Sequence, residues 1–258
     1  MKEEIWKTAV TKVEPNKLLL RGYRIDELIG NITFAQAIFL VIKGELPSQK
    51  ETKMMDAILV SSVDHGVTPP SCLAARMIMS TGASLTAALA GGILAISKYH
   101  GGAIEDSMKV IQEAVMRKKK MNKTAEEMAA IIIKEYKEKN KRIPGFGHRI
   151  HTKDPRSIKL FEIAYDLGLS REHVKMAIAI EDAIERSIGK RLPINVDGAI
   201  AVLLCEMDFP HELANAFFVM ARIPGLVAHV YEEQTRMKPM RHINSRDYKY
   251  EGNPERKL

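Results

Sequence analysis

A chain of 258 residues is long enough for one large domain or two small ones with a sizeable buried core. Its 46% apolar and 28% charged residues exclude a disordered or low-complexity chain, and two cysteines exclude a disulfide scaffold and a cysteine-rich metal framework. The formal net charge of +7 favours acidic partners, and composition does not say whether these are phosphates, carboxylates or nucleic acid.

The first fifteen residues, MKEEIWKTAVTKVEP, carry early acids and no apolar centre, so no signal peptide is expected there, and the chain reads as cytoplasmic. Aromatics at 6% and the absence of alternating Val/Thr/Tyr runs argue against a β-rich fold. No strand pair, internal repeat or Gly/Ser linker is expected, and the fold class is all-α. Thr33 and Gln36 have capping-box spacing and open an apolar helix that stops at Gly44. Residues 77–97 contain no charge and are long enough to span a bilayer, but Ser, Thr and Gly dilute them. They read as helix buried in a soluble domain, with small residues allowing close approach. Thr124 and Glu127 form a second box, opening a helix to about Asn140. Ser170 is placed to cap a third, reaching about Ile188. Further helical stretches are expected over 48–62, 84–98, 103–119, 155–167, 198–207, 211–222 and 225–236.

Two breaks combine proline, glycine, cations and a titratable group between helices, where binding residues concentrate. The first runs over 142–156 and the second over 189–198. Gly145 and Gly147 permit unusual backbone angles, so this loop is either an ordinary turn or an anion cradle flanked by Arg142 and Arg149. Asp154, Pro155 and Arg156 read as N-cap, N1 and N2 of the next helix. A cation in a first helical turn opposes the macrodipole, which leaves Arg156 as either chance or an anion ligand. Asp197, ahead of Gly198 and an apolar helix, is an N-cap or a catalytic base. His100 is a helix C-cap, or a neutral imidazole able to donate a hydrogen bond to a carbonyl. His65 is a core histidine or a ligand. The basic run at 117–120 is a solvated helix end or a nucleic-acid contact. No zinc spacing, GxSxG or HExxH is present.

Taken together, these landmarks resemble one family. The segment PGFGHRIHTKDPR at 144–156 is similar to the signature of citrate synthases, and the family's other landmarks follow its chain order. They are RGYRIDEL at 21–28, GELP at 44–47, Asp64-His65, HGGA at 100–103, NVD at 195–197 and Ala221-Arg222. Only residues 48–63 separate GELP from Asp64-His65, where synthases carry a long helical segment. That compact layout, with Gly66 after Asp64-His65, Gly198 after the NVD triplet and Arg241-His242, resembles citryl-CoA lyases and the C-terminal module of ATP-citrate lyase. His100 departs from ATP-citrate lyase, which has Phe there.

The resemblance implies a compact citrate synthase-like fold. A larger helical domain (1–100 plus 206–258) is expected with a smaller mobile one (101–205) closing over it. It implies cleavage of citryl-CoA to acetyl-CoA and oxaloacetate, with coenzyme A as part of the substrate and neither metal nor nucleotide triphosphate. His65, His148, Arg156, Arg222 and Arg241 would grip the oxaloacetate moiety. His100, His148 and Asp197 would carry the chemistry, and Pro144, Gly145, Phe146, Gly147, Lys190 and Arg191 would contact coenzyme A. The partners implied are those small molecules, a homo-oligomeric assembly with Arg241 as a candidate to cross its interface, and a separate citryl-CoA synthetase. No membrane or nucleic acid is implied. The alternatives are a small citrate synthase that hydrolyses the thioester, a basic helical nucleic-acid-binding module, and a catalytically silent relative.

Overall fold

The computed structural model describes residues 6–147, 154–242 and 247–257. By its packing the chain divides at 62/63, 100/101 and 221/222, where the sequence expectation placed cuts at 100/101 and 205/206. One unit is Met1–Ser62 with Gly101–Ala221, and the other is Val63–His100 with Arg222–Leu258.

The first unit opens on an antiparallel meander, β1 (Thr11–Glu14), β2 (Lys17–Leu20) and β3 (Tyr23–Arg24), which corrects the expectation of no strand pair. The turns explain it. Arg21 and Gly22 both have positive φ (49° and 90°), the geometry that two-residue hairpin loops favour, while the Pro15-Asn16 loop reverses the chain with positive φ (59°) at Asn16. Three consecutive leucines in β2 hide the period-two pattern. The Arg21 guanidinium then donates twice to the Val41 carbonyl, at 2.9 and 2.7 Å.

Helices follow: α1 (Ile25–Leu28), α2 (Phe34–Lys43) and α3 (Gln49–Ser61), then α6 (Ala103–Lys120), α7 (Ala125–Glu138), α8 (Pro155–Asp166), α9 (Glu172–Ile188) and α10 (Val196–Glu206). Complete capping boxes start α2 and α7 as expected, and a third, Ser48 with Glu51, starts α3. Ser170 does not cap α9. The N-cap is Arg171, and the Glu206 carboxylate accepts the N–H groups of Arg171, His173 and Val174 at 2.9–3.0 Å. Every residue of α10 except Asp197 is buried, with α6, α8 and α9 packed around it. Phe209 joins Phe39 and Phe217 edge to face, at centroid distances of 5.4 and 4.7 Å. Each such pair contributes about 0.5–1.5 kcal/mol beyond its buried area.

The second unit is built from α4 (Pro70–Ser80), α5 (Leu85–Leu94) and the later part of α11 (Ala214–Arg236). The uncharged stretch at 77–97 is two helices, not one: α4 ends at Ser80, Gly82 turns with φ 84°, and Ser84 caps α5. Gly92 lets α5 lie against α4, since a Cβ there would stand 3.0 Å from the Ala75 Cβ and the Ser71 carbonyl oxygen. Cys72, Ala75, Met79, Ala88, Leu226 and Val230 make the core. The helices expected over 211–222 and 225–236 are one, because Pro224 removes a rung of α11 without ending it. By length and composition alone, 211–236 is the one stretch among the described residues able to cross a membrane.

Candidate active site

In the first unit the two breaks found in the sequence lie against each other. The Gly147 N–H donates to the Pro193 carbonyl at 2.8 Å, and the Asn195 N–H donates to the Gly145 carbonyl at 3.0 Å. Asn195 is the hub. Its Nδ2 donates to the Gly147 carbonyl at 2.8 Å while its Oδ1 accepts the Gly198 N–H at 3.0 Å, capping α10. The N-cap is therefore Asn195, and Asp197 sits half-buried in the first turn. Glycine is required on both sides of this contact. A Cβ on Gly198 would stand 2.3 Å from the Gly145 oxygen, and one on Gly145 would stand 2.5 Å from the Ser107 hydroxyl.

Beside this loop lies a cavity of about 630 Å³. Phe146, Gly147, Lys190 and Leu192 line it with Ile133, Tyr136, Ile143 and Ile184, and Lys137, Lys141 and Arg142 add three more cations. Lys137 and Lys141 carry no motif, so their part in it was illegible in the sequence. Arg191 does not line this cavity but a second one, of about 480 Å³, with Asp154, Pro193 and Ile194; its Nε is 2.8 Å from Glu181, a buried carboxylate that also accepts the Ile194 N–H. Arg156 is at helix position N2 as expected, yet its guanidinium folds back on the buried Asp154 through bonds of 3.1 and 2.9 Å. That carboxylate also takes the Arg156 N–H at 3.0 Å, which offsets a cation in a first helical turn.

The second unit holds His65, His100, Arg222 and Arg241. His100 is not a helix C-cap: α5 ends at Leu94, and His100 pairs its backbone with Ser97 through bonds of 2.8 and 2.9 Å. Its Nε2 lies 2.8 Å from the buried Ser71 hydroxyl. Burial first, then the Arg222 guanidinium and His65, push its ring below the usual imidazole range. His100 is therefore neutral at pH 7, with one donor nitrogen and one acceptor. Arg222 is 4% exposed, and His65 is exposed on the loop between α3 and α4. Arg241 is held bidentately by Glu233, at 2.9 and 2.7 Å, and Arg76 donates to the same carboxylate at 2.7 Å. Ser71 and Glu233 carry no recognisable pattern, so only the fold reveals them. His148 lies outside the described residues, as does the rest of the signature between Gly147 and Asp154. The basic run at 117–120 ends α6. Arg117 pairs with Glu135 and Glu113, and Lys118 with Glu172.

Residues 49–243 match the family described as citrate synthase, C-terminal domain. The chain is similar over 99% of its length to the citryl-CoA lyase of Hydrogenobacter thermophilus, at 47% identity and a TM-score of 0.92, and covers 98% of it. The ATP citrate lyase of Methanothrix soehngenii, solved with citrate and coenzyme A, shares the fold at 22% identity and a TM-score of 0.85. That likeness covers 99% of this chain and 43% of the larger protein. A protein named putative citrate synthase 2, from Mycobacterium tuberculosis, is 31% identical over 204 residues, which is 77% of this chain and 52% of that protein. The chain thus spans about half the length of these curated relatives.

Proposed function

The chain belongs to the citrate synthase family, and from that membership we propose that it is a citryl-CoA lyase. The reaction is cleavage of citryl-CoA to acetyl-CoA and oxaloacetate, without metal or nucleotide triphosphate. The observation that carries this reading is the whole-length likeness to the Hydrogenobacter thermophilus citryl-CoA lyase, at 47% identity.

The tertiary hydroxyl of citryl-CoA gives up its proton, a task the reading assigns to His148. The carbon–carbon bond then breaks, its electrons pass to the thioester as an enolate, and the alkoxide becomes the ketone of oxaloacetate. A neutral His100 donates a hydrogen bond to the thioester oxygen, where the charge gathers. Ser71 supports that part by fixing the ring through Nε2. Asp197, protonated at that moment, gives its proton to the enolate carbon and completes acetyl-CoA. His65, Arg156, Arg222 and Arg241 are the proposed ligands of the oxaloacetate carboxylates, since guanidiniums meet carboxylates bidentately. Arg156 and Arg241 already hold Asp154 and Glu233, so either would have to share its guanidinium between carboxylates.

Coenzyme A is the ligand proposed for the cavity of the first unit. Lys137, Lys141, Arg142 and Lys190 suit its phosphates, and Tyr136, Phe146 and Leu192 suit its adenine. Pro144, Gly145 and Arg191, which do not line that cavity, stay in the assignment through the family resemblance alone. A homo-oligomer belongs to the proposal, supported by exposed Leu73, Met77, Leu85 and Leu94 on α4 and α5, as does a cytoplasmic location. It also needs a separate synthetase to make citryl-CoA.

The names of the curated relatives favour a second reading, a small citrate synthase that hydrolyses the thioester. One assay separates the two. Citryl-CoA is added to pure protein, and oxaloacetate is followed through malate dehydrogenase and NADH alongside free thiol through a chromogenic disulfide. Oxaloacetate without thiol is expected. Thiol without oxaloacetate would replace the lyase by a synthase.

A further inference from the structure

The loop that carries His65 has no regular structure between Ser62 and Pro69, yet it is held at three points within its own unit. Asp64 Oδ2 accepts the Gly66 N–H at 2.9 Å, closing an Asx turn around His65. Gly66 completes that turn with φ 75°, a value that strains any side chain. Asp64 Oδ1 lies 3.0 Å from His229 Nε2 on α11. One turn earlier on the same helix, Gly225 meets the loop at backbone distance. A Cβ there would stand 2.3 Å from the Val63 oxygen and 3.0 Å from Asp64 Oδ1. Gly225 and His229 are four residues apart, on one face of α11. That face is thus built against the residue preceding His65.

We propose that Asp64 and His229 are a positioning pair for His65. Their carboxylate–imidazole bond holds the 64–66 turn so that the exposed His65 ring is presented to the oxaloacetate end of the substrate. The proposal rests on the reading of His65 as a substrate ligand. His65 needs such a device because a ring on an exposed loop loses its direction as soon as the backbone beneath it moves. The Asx turn alone fixes residues 64–66 relative to one another. The bond to His229 fixes them to a 23-residue helix. A donor at His229 Nε2 is what Asp64 requires, since the carboxylate only accepts. Neither residue touches substrate in this scheme, so its loss acts on binding more than on the chemical step.

The test compares full-length wild type with Asp64→Ala, His229→Phe, His229→Gln and the Asp64→Ala/His229→Phe double variant. The readouts are kcat and KM for citryl-CoA, the Kd of oxaloacetate by calorimetry, and the melting temperature. Each of Asp64→Ala and His229→Phe is expected to raise KM and Kd about 10-fold while kcat falls less than about 3-fold. The double variant should be no worse than the poorer single one, because both remove the same bond. His229→Gln, whose amide N–H replaces the ring donor, should recover most of the affinity. A His229→Phe protein that melts like wild type and binds oxaloacetate within 2-fold of it would overturn the proposal. So would effects that multiply in the double variant, or a Gln variant no better than Phe. Should Asp64→Ala not fold, the Phe and Gln comparison at 229 decides alone. His65→Ala separates the premises. If wild type binds oxaloacetate and His65→Ala binds it equally, the positioning role falls while the lyase reading stands. If wild type neither binds oxaloacetate nor cleaves citryl-CoA, both fall.

Discussion

Asp197 is the one residue of α10 that is not buried, and its place in the first turn decides what a substitution there does. The cap belongs to Asn195, so Asp197→Asn leaves the 3.0 Å capping bond in place. Where Asp197 is ionised, the substitution also removes the interaction of its charge with the positive end of the helix dipole, about 0.3–1 kcal/mol. Removing an acid–base group costs a factor of about 10²–10⁴ in rate. The Asp197→Asn protein is therefore expected to melt within a few degrees of wild type and to lose kcat by about that factor. Full turnover would withdraw the proton-transfer role. At this scale the sequence was half legible. Asn195 and Asp197 are both good cap formers two positions apart, and local propensity does not choose between them. The choice is made by the Gly145 and Gly147 carbonyls, about fifty residues earlier, which engage Asn195 from the other side. His100 stayed open between a helix end and a neutral imidazole for the same kind of reason. Its partner Ser71 lies 29 residues away in a Pro-Pro-Ser stretch that looks like an ordinary helix start.

Elements were legible where their signals are local. The capping boxes of α2 and α7 and the Asp154-Pro155 start of α8 are written within four residues, and the helices begin there. The start of α9 is not local. Ser170 has the right side chain, but Glu206, from the far end of α10, takes three N–H groups of that first turn. This is an N-cap supplied by another helix, which binds α9 to α10 as well as completing it. Burial alone would raise the Glu206 carboxyl. The His173 ring and the N–H groups of Val174 and Arg171 outweigh it and hold the group below its usual value. A depressed folded-state value stabilises the fold above the unfolded carboxyl pKa, near 4.3, and that contribution is lost as pH falls through the folded value. Glu206→Gln is thus expected to cost about 1–3 kcal/mol at pH 7, since charged hydrogen bonds become neutral ones. In a chain of this size that is a drop of roughly 2–4 °C in Tm per kcal/mol. The gap between variant and wild type should close as the pH is lowered through the acid range. Equal melting at pH 7 would show that Glu206 does not anchor α9.

At the scale of the molecule, the two units interleave along the chain, and one cut falls within α11, where no sequence signal marks it. The order of the candidate loops was readable all the same, because each is a short run written within a few consecutive residues. Net charge is also a property at this scale, and it is the one that composition gave most directly. The +7 surplus is not neutralised in the cavity beside Phe146, where Lys137, Lys141, Arg142 and Lys190 gather with no acid among the lining residues. A polyanion carrying three phosphate groups and carboxylates is the kind of substrate such a field attracts over distance. Between exposed charges that attraction extends about 30 Å at 0.01 M salt and about 8 Å at 0.15 M. The chemistry, in contrast, takes place between groups already in contact, where screening is weak. Raising the salt from 0.01 to 0.3 M is therefore expected to lower kcat/KM for citryl-CoA by about 3- to 10-fold and to change kcat by less than about 2-fold. Lys137→Ala and Lys190→Ala should each flatten that slope without altering kcat. A salt response confined to kcat would mean that the surplus charge serves something other than capture of the coenzyme A ester.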